Sequence, residues 1–187
     1  TAFKGDSDLS NLTYAPFRFK QPPTLAHVKL LLQGTLFVTW LQNSLVIGAL
    51  VVLITLVLAL PAAYALARMR FWGSQTLSTG MFLSYLIPPT LLFLPLSQLV
   101  RGLGFTDSIW ALVLVYPSFT LPFCTWLLMG FVRTGPRGIE ESAQIDGCTR
   151  FQAFRMIILP VIVPGIITAG IFAFTLTYQE YIYALTF

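Results

Sequence analysis

Residues Pro136 to Pro160 read PRGIEESAQIDGCTRFQAFRMIILP, and they place a short charged helical hairpin between two long apolar runs. The first half carries Glu140, Glu141, Ser142, Ala143, Asp146 and Gly147, small and acidic residues that end at a glycine able to adopt positive φ without steric cost. The second half restarts as a helix. Thr149 is placed to cap it, and Gln152, three residues on, to reach back to the amide of the cap, just ahead of Phe154, Met156, Ile157 and Ile158. The loop 136–156 is therefore expected as a polar helical hairpin held between membrane-spanning segments, where a membrane protein would receive mechanical input.

Working outward from the hairpin, a bilayer-spanning helix needs about 20 mostly apolar residues. Four segments qualify, at about 40–67, 77–100, 109–132 and 157–180. Pro61 is expected to kink the first. Pro88, Pro89 and Pro95 are expected to bend or break the second near mid-depth, a fault that neighbouring helices can satisfy. Pro117 and Pro122 lie in the third, and Pro160 and Pro164 in the first turns of the fourth. The reading is thus an all-α, polytopic membrane protein forming a single transmembrane domain over 1–187, with residues 1–39 ahead of the first span. Within that segment Pro22-Pro23-Thr24 introduces a short helix with Leu25, Val28, Leu31 and Leu32 on one face and Gly34 closing it, lying along the outer interface.

Arginine and lysine near span ends set orientation. Arg68 and Arg70 follow the first span and Arg133, Arg137, Arg150 and Arg155 follow the third, which puts those loops and the hairpin on the cytoplasmic side. The other side carries Arg101 with Asp107 in a short loop, together with Lys4, Arg18, Lys20 and Lys29 of the amino-terminal segment.

Composition agrees with a bilayer. Of 187 residues, 56 % are hydrophobic and 10 % charged, whereas about a quarter are charged in soluble domains. The net charge of +4 comes from few groups, and the arginines cluster at the ends of apolar runs with no basic stripe interleaved with aromatics, so nucleic acid is not expected as a partner. Cys124 and Cys148 show no metal-ligand spacing and read as small packing residues. His27 is the only histidine, and it reads as surface packing and not as part of a metal site or triad. Asn11-Leu12-Thr13 would matter as a glycosylation acceptor only in a secretory pathway. None of the lysines, Lys4, Lys20 and Lys29, sits in a phosphate-binding glycine loop, so this chain carries no ATP site of that type. The spans hold almost no ionisable group to serve an enzyme or a proton-coupled carrier. No catalytic residue and no cofactor is assigned, and energy has to come from a partner.

With Glu141-Ser142-Ala143, then Asp146-Gly147 and Leu159-Pro160, the hairpin resembles the EAA loop, the cytoplasmic coupling motif of the permease subunits of bacterial ABC importers. It differs at Ser142 and Cys148, where the family more often has alanine, and both replacements are small. Ala62-Ala63-Tyr64-Ala65-Leu66-Ala67-Arg68, Leu121-Pro122-Phe123 and Tyr178-Gln179-Glu180-Tyr181-Ile182-Tyr183-Ala184-Leu185 are similar to the carbohydrate-uptake branch, maltose-type permeases included. There the last stretch commonly reads Trp-Asn-Glu-Phe, so the glutamate is kept while its neighbours differ.

The resemblance implies one further span before Thr1 and one after Phe187, in a bacterial cytoplasmic (inner) membrane. It implies a second permease subunit, two ATPase subunits that bind ATP and Mg, and an extracytoplasmic solute-binding protein delivering a sugar or related polyol. Glu140, Glu141, Ser142, Ala143, Asp146, Gly147 and Pro160 become the ATPase-coupling residues, with Ile139 and Ala143 forming a small apolar face, the acids on its flanks and Leu159-Pro160 passing movement to the fourth span. Tyr178, Gln179, Glu180 and Tyr181 are candidates for the substrate pathway, since sugars stack on aromatics and hydrogen bond polar side chains. The same four residues also read as an interfacial aromatic belt. A permease for a non-sugar solute, and a membrane scaffold that recruits a partner without transport, remain as alternatives.

Overall fold

The structure, a computed structural model, describes residue 3 and residues 24–69 and 71–186. Lys4, Arg18, Lys20, the Asn11–Thr13 triplet, Pro22, Pro23, Arg70 and Phe187 lie outside the described residues. Among the described residues every regular element is helical. The chain divides into two units, 1–45 and 46–187.

In the first unit, helix α1 covers Ala26–Gly34, and the amide of Ala26 donates to Thr24 Oγ1 at 3.1 Å. Leu25, Leu31 and Leu32 are exposed, and Gly34 is the last helical residue, as expected. Helix α2 then runs as one element from Phe37 to Arg68, continuing through Pro61.

The second unit is built from helices that proline divides. Helices α3 (Ser74–Tyr85) and α4 (Pro89–Gly102) meet at an angle of 97°. Two successive prolines explain the break: Pro88 carries ψ of 132°, the extended conformation forced on a residue that precedes proline. Helices α5 (Ile109–Val115) and α6 (Pro117–Thr134) continue one another across Tyr116 as a stretch of 26 residues. The hairpin comprises α7 (Arg137–Ile145) and α8 (Arg150–Ala153). It is followed by a π-helical turn over Phe154–Ile158, the short α9 (Leu159–Val161), α10 (Val163–Gln179) and α11 (Ile182–Thr186).

Helices α2 and α5–α6 are each long and apolar enough to cross a membrane. The pair α3–α4 passes the same test only as a unit, and so does the stretch Arg150–Val161 with Val163–Gln179, which is bent by 76°. The fourth segment, read as one span, is thus sharply bent near its start. Pro160 and Pro164 each remove the amide that would bond to the carbonyl four residues back, so the helix opens at Ile162 and the turn before it widens to the π form.

The helices approach closely because the contact residues are small. Ala59 and Ala63 of α2 and Ala169 and Ala173 of α10 are fully buried, together with Cys124 and Leu128 of α6. Thr55 of α2 and Thr120 of α6 share a buried hydrogen bond of 2.8 Å. The Cys124 thiol faces the carbonyl oxygen of Ala169 at 3.5 Å, which fits its reading as a packing residue. Gly165 lies under the ring of Phe131, and a methyl group there would come within 2.5 Å of Phe131 Cγ. That atom sits next to the backbone and cannot swing aside. Gly165→Ala should therefore destabilise the protein by about 1–3 kcal/mol, read from thermal unfolding in detergent, and Phe131→Leu in the same chain should restore part of the loss.

Candidate functional site

The hairpin closes as its residues dictate. The amide of Cys148 donates to the carbonyl of Ala143 at 2.9 Å and that of Gly147 to Gln144 at 3.2 Å, the paired bonds of a Schellman turn. That turn needs a left-handed residue, and Gly147 has φ of 94° with open space around it. The requirement is one of backbone angle, not of room. The second arm then starts on a complete capping box, with the Thr149 amide donating to Gln152 Oε1 at 2.8 Å and the Gln152 amide to Thr149 Oγ1 at 3.3 Å.

The acids of the hairpin fall into two groups. Glu141 and Asp146 are exposed, as are Ser142 and Gly147, while Ala143 is half-buried. Ile139 and Ile145 add exposed apolar surface to the same short helix. Glu140 is different, since the expectation placed it with the other acids on the flanks and it points inward, only 5 % exposed. Its Oε1 accepts a hydrogen bond from the Tyr64 hydroxyl. Its Oε2 lies 3.2 Å from Arg68 Nε as an ion pair, with both side chains more than nine-tenths buried. Arg68 also donates from Nη2 to the carbonyl of Gly135 at 2.8 Å, in the turn just before α7.

Tyr64 and Arg68 occupy the last turn of α2 four residues apart, so they share one face of that helix. The Tyr64 ring packs on Phe154 of the second arm, with centroids 4.8 Å apart. Val132, Ile158 and Ile162 complete the apolar cluster beneath it. An open polar cleft of about 440 Å³ lies alongside, lined by Arg68, Arg137, Glu141, Gln144 and Arg150 among others. Three of the arginines read from the sequence as one cytoplasmic set therefore come together. The sequence reading used Arg68 only to orient the first span and gave Tyr64 no role of its own. The available signal was their spacing of four at the end of an apolar run, which puts two hydrogen-bonding groups on one face.

The other candidate patch is less gathered. Tyr178 and Tyr181 are exposed, as is Gln179, and Tyr178 stacks on Phe174 at 6.0 Å. Helix α10 ends at Gln179, Glu180 is extended, and its Oε1 accepts from the Ile182 amide at 3.2 Å at the start of α11. The residue that structure adds here is Tyr183. It is fully buried among Phe93, Tyr116 and Phe119, and its hydroxyl donates to the carbonyl of Pro89 at 2.7 Å. The break after α10 is thereby tied to the break between α3 and α4. Pro160 is exposed within α9. Among the described residues no group of three or more His, Cys, Asp or Glu side chains is placed to hold a metal ion.

These features define a class: an α-helical membrane protein with a small-residue helical core, proline-broken helices, and a polar hairpin bound to the end of its longest helix. The chain belongs to the family of binding-protein-dependent transport system inner membrane components, whose profile matches residues 56–187. It is 37 % identical over 180 residues to the diacetylchitobiose uptake system permease protein DasC of Streptomyces coelicolor, covering 96 % of this chain and 64 % of that one. It is 34 % identical to the sulfoquinovosyl glycerol transport system permease protein SmoH of Agrobacterium fabrum, covering 95 % and 63 %. It is 37 % identical to the trehalose transport system permease protein SugB of Mycobacterium tuberculosis, covering 82 % and 56 %. The chain thus spans less than two thirds of the length of these relatives. Its fold matches a chain from the crystal structure of a bacterial ABC transporter involved in the import of the acidic polysaccharide alginate, with a TM-score of 0.83 and 18 % identity over 98 % of this chain and 64 % of that one.

The two groups of acids should separate in stability measurements. Glu140→Ala leaves Arg68 buried without its counter-charge and should cost about 3–5 kcal/mol, whereas Glu141→Ala should stay within about 0.5 kcal/mol. At Gly147, valine should cost about 1–2 kcal/mol through its φ alone, and asparagine distinctly less. Thermal unfolding of the detergent-solubilised protein followed by circular dichroism reads all four variants.

Proposed function

We propose that this chain is a permease subunit of a bacterial ABC importer that carries a sugar or related polyol across the cytoplasmic membrane. The observation that carries the reading is the hairpin: a short helix with exposed acids and isoleucines, closed by a glycine turn and anchored at its back to the longest helix of the fold. Such an element offers one face to a cytoplasmic partner and is held by the other.

In this reading the segments at about 40–67, 77–100, 109–132 and 157–180 each cross the bilayer, and the arginine-lined cleft faces the cytoplasm. A second permease completes the translocation path, and two ATPase subunits dock on Glu141, Ser142, Ala143, Asp146 and Gly147. Those subunits bind ATP with Mg and hydrolyse it; this chain supplies no catalytic group. Closure of the ATPase pair displaces the docked hairpins, and helix groups rock to alternate access to the path. An extracytoplasmic binding protein delivers the solute.

The carbohydrate assignment is supported by the named substrates of the relatives, all of them sugar derivatives. It is also supported by Tyr178, Gln179, Glu180 and Tyr181, which offer aromatic faces and polar groups beside a helix break. Discontinuous helices are where transporters commonly place their solute, because unwound backbone there can bond to it. The break at Glu180 and the break at Pro88 are joined by the Tyr183 hydrogen bond, so this is the region through which solute is expected to pass.

Reconstitution of the importer in vesicles with its partner permease, ATPases and binding protein tests the proposal. ATP-dependent accumulation of a sugar supports it, and Glu141→Lys should lower that uptake by about tenfold or more by repelling the docked partner while leaving the fold intact. Accumulation of a solute without sugar character would move the assignment to a non-carbohydrate permease. Partner binding with no flux would make the chain a scaffold instead.

A further inference from the structure

We infer that Tyr64 and Arg68 are positioning residues that lock the hairpin to the end of α2, so that the movement of the hairpin enters the membrane through α2. This inference rests on the importer reading above and adds a route that the reading does not contain.

Four contacts carry it. Arg68 grips the hairpin at two points, the Glu140 carboxylate and the Gly135 carbonyl, which lie on either side of the start of α7. One attachment would let that helix pivot, whereas two oppose rolling. Tyr64 adds a grip on each arm, its hydroxyl on Glu140 in the first and its ring on Phe154 in the second. A methyl group on Gly135 would sit 3.2 Å from Arg68 Nη2 and 3.3 Å from the Val132 carbonyl oxygen, so a side chain there would press the guanidinium back by a few tenths of an ångström.

Burial decides which contacts persist under load. The Arg68–Glu140 pair is removed from water, so separating it would expose uncompensated charge to a low-dielectric surrounding. Exposed Glu141 and Asp146 exchange partners at little cost. The covalent route to α10 is the softer one, because it passes through the π turn at Phe154–Ile158 and the 76° bend at Ile162. Helix α2 runs on from the clamp as one helix through Pro61, which removes a single backbone hydrogen bond without ending the helix.

The experiment uses the assembled importer in lipid vesicles, with Cys148→Ala and spin labels attached at Met69→Cys and Gly138→Cys, an exposed position of α7 with open space around it. With the clamp intact, the distance between labels should be the same in the nucleotide-free and ATP-bound states. In the Glu140→Ala complex the distance distribution should broaden, and uptake per ATP hydrolysed should fall by about tenfold. Tyr64→Phe, which keeps the ring and loses the hydroxyl, should give a smaller loss.

A shift of about 5 Å, one helical turn, between nucleotide states in the unmodified clamp overturns the inference, and needs no clamp variant to fold. So does a Glu140→Ala complex that keeps both the fixed distance and the original uptake per ATP. In either case the importer reading stands. An unmodified assembly with no ATP-driven uptake would instead overturn that reading, and the clamp with it.

Discussion

The organisation of this protein depends on one buried carboxylate. Glu140 sits at the back of a short polar helix, away from water, and is tolerable there only because Tyr64 donates to one oxygen and Arg68 lies against the other. Buried charge is costly unless paired and hydrogen bonded. The geometry that meets that condition also specifies where the hairpin must lie, against the last turn of α2 and in one orientation. A wholly apolar contact would have attached the hairpin too, but with less angular definition.

The membrane-embedded part follows a different rule. Lipid offers helices no hydrophobic reason to associate, so contact is won by close approach of small residues and a few polar bonds. Ala59, Ala63, Ala169, Ala173, Gly48 and Gly165 supply the approach, and Thr55 with Thr120 supplies a bond. Glycine at 48 and 165 makes flat seats for Phe174 and Phe131, which is why the aromatic rings of this chain can be packed without forcing the helices apart. Proline then breaks the helices at Pro88 and Ile162, leaving irregular backbone that the fold partly covers, as where Tyr183 takes the carbonyl of Pro89.

Much of the candidate site was legible in the residues. The glycine that ends α7, the capping box at Thr149 and Gln152, and the charged interruption between apolar runs all depend on local rules, and the structure places them as read. The break between α3 and α4 follows from two adjacent prolines in the same way. The π turn and the sharp bend at Ile162 were not legible, because a proline near a helix start is compatible with both a straight helix and a broken one. The division of the acids was not legible either, since Glu140 and Glu141 are chemically identical neighbours.

What the sequence determined by itself is the helical, membrane-adapted class of the chain and the local construction of the hairpin, since apolar length, caps and turn residues act within a few positions of one another. What only the tertiary structure decided is which acid is buried and what grips it. Glu140 and its partners are separated by more than seventy positions, and only the packing of the hairpin against the end of α2 brings them within bonding distance. The same holds for Tyr183 and Pro89, because a hydrogen bond between distant elements depends on how whole helices are seated and not on any pattern along the chain.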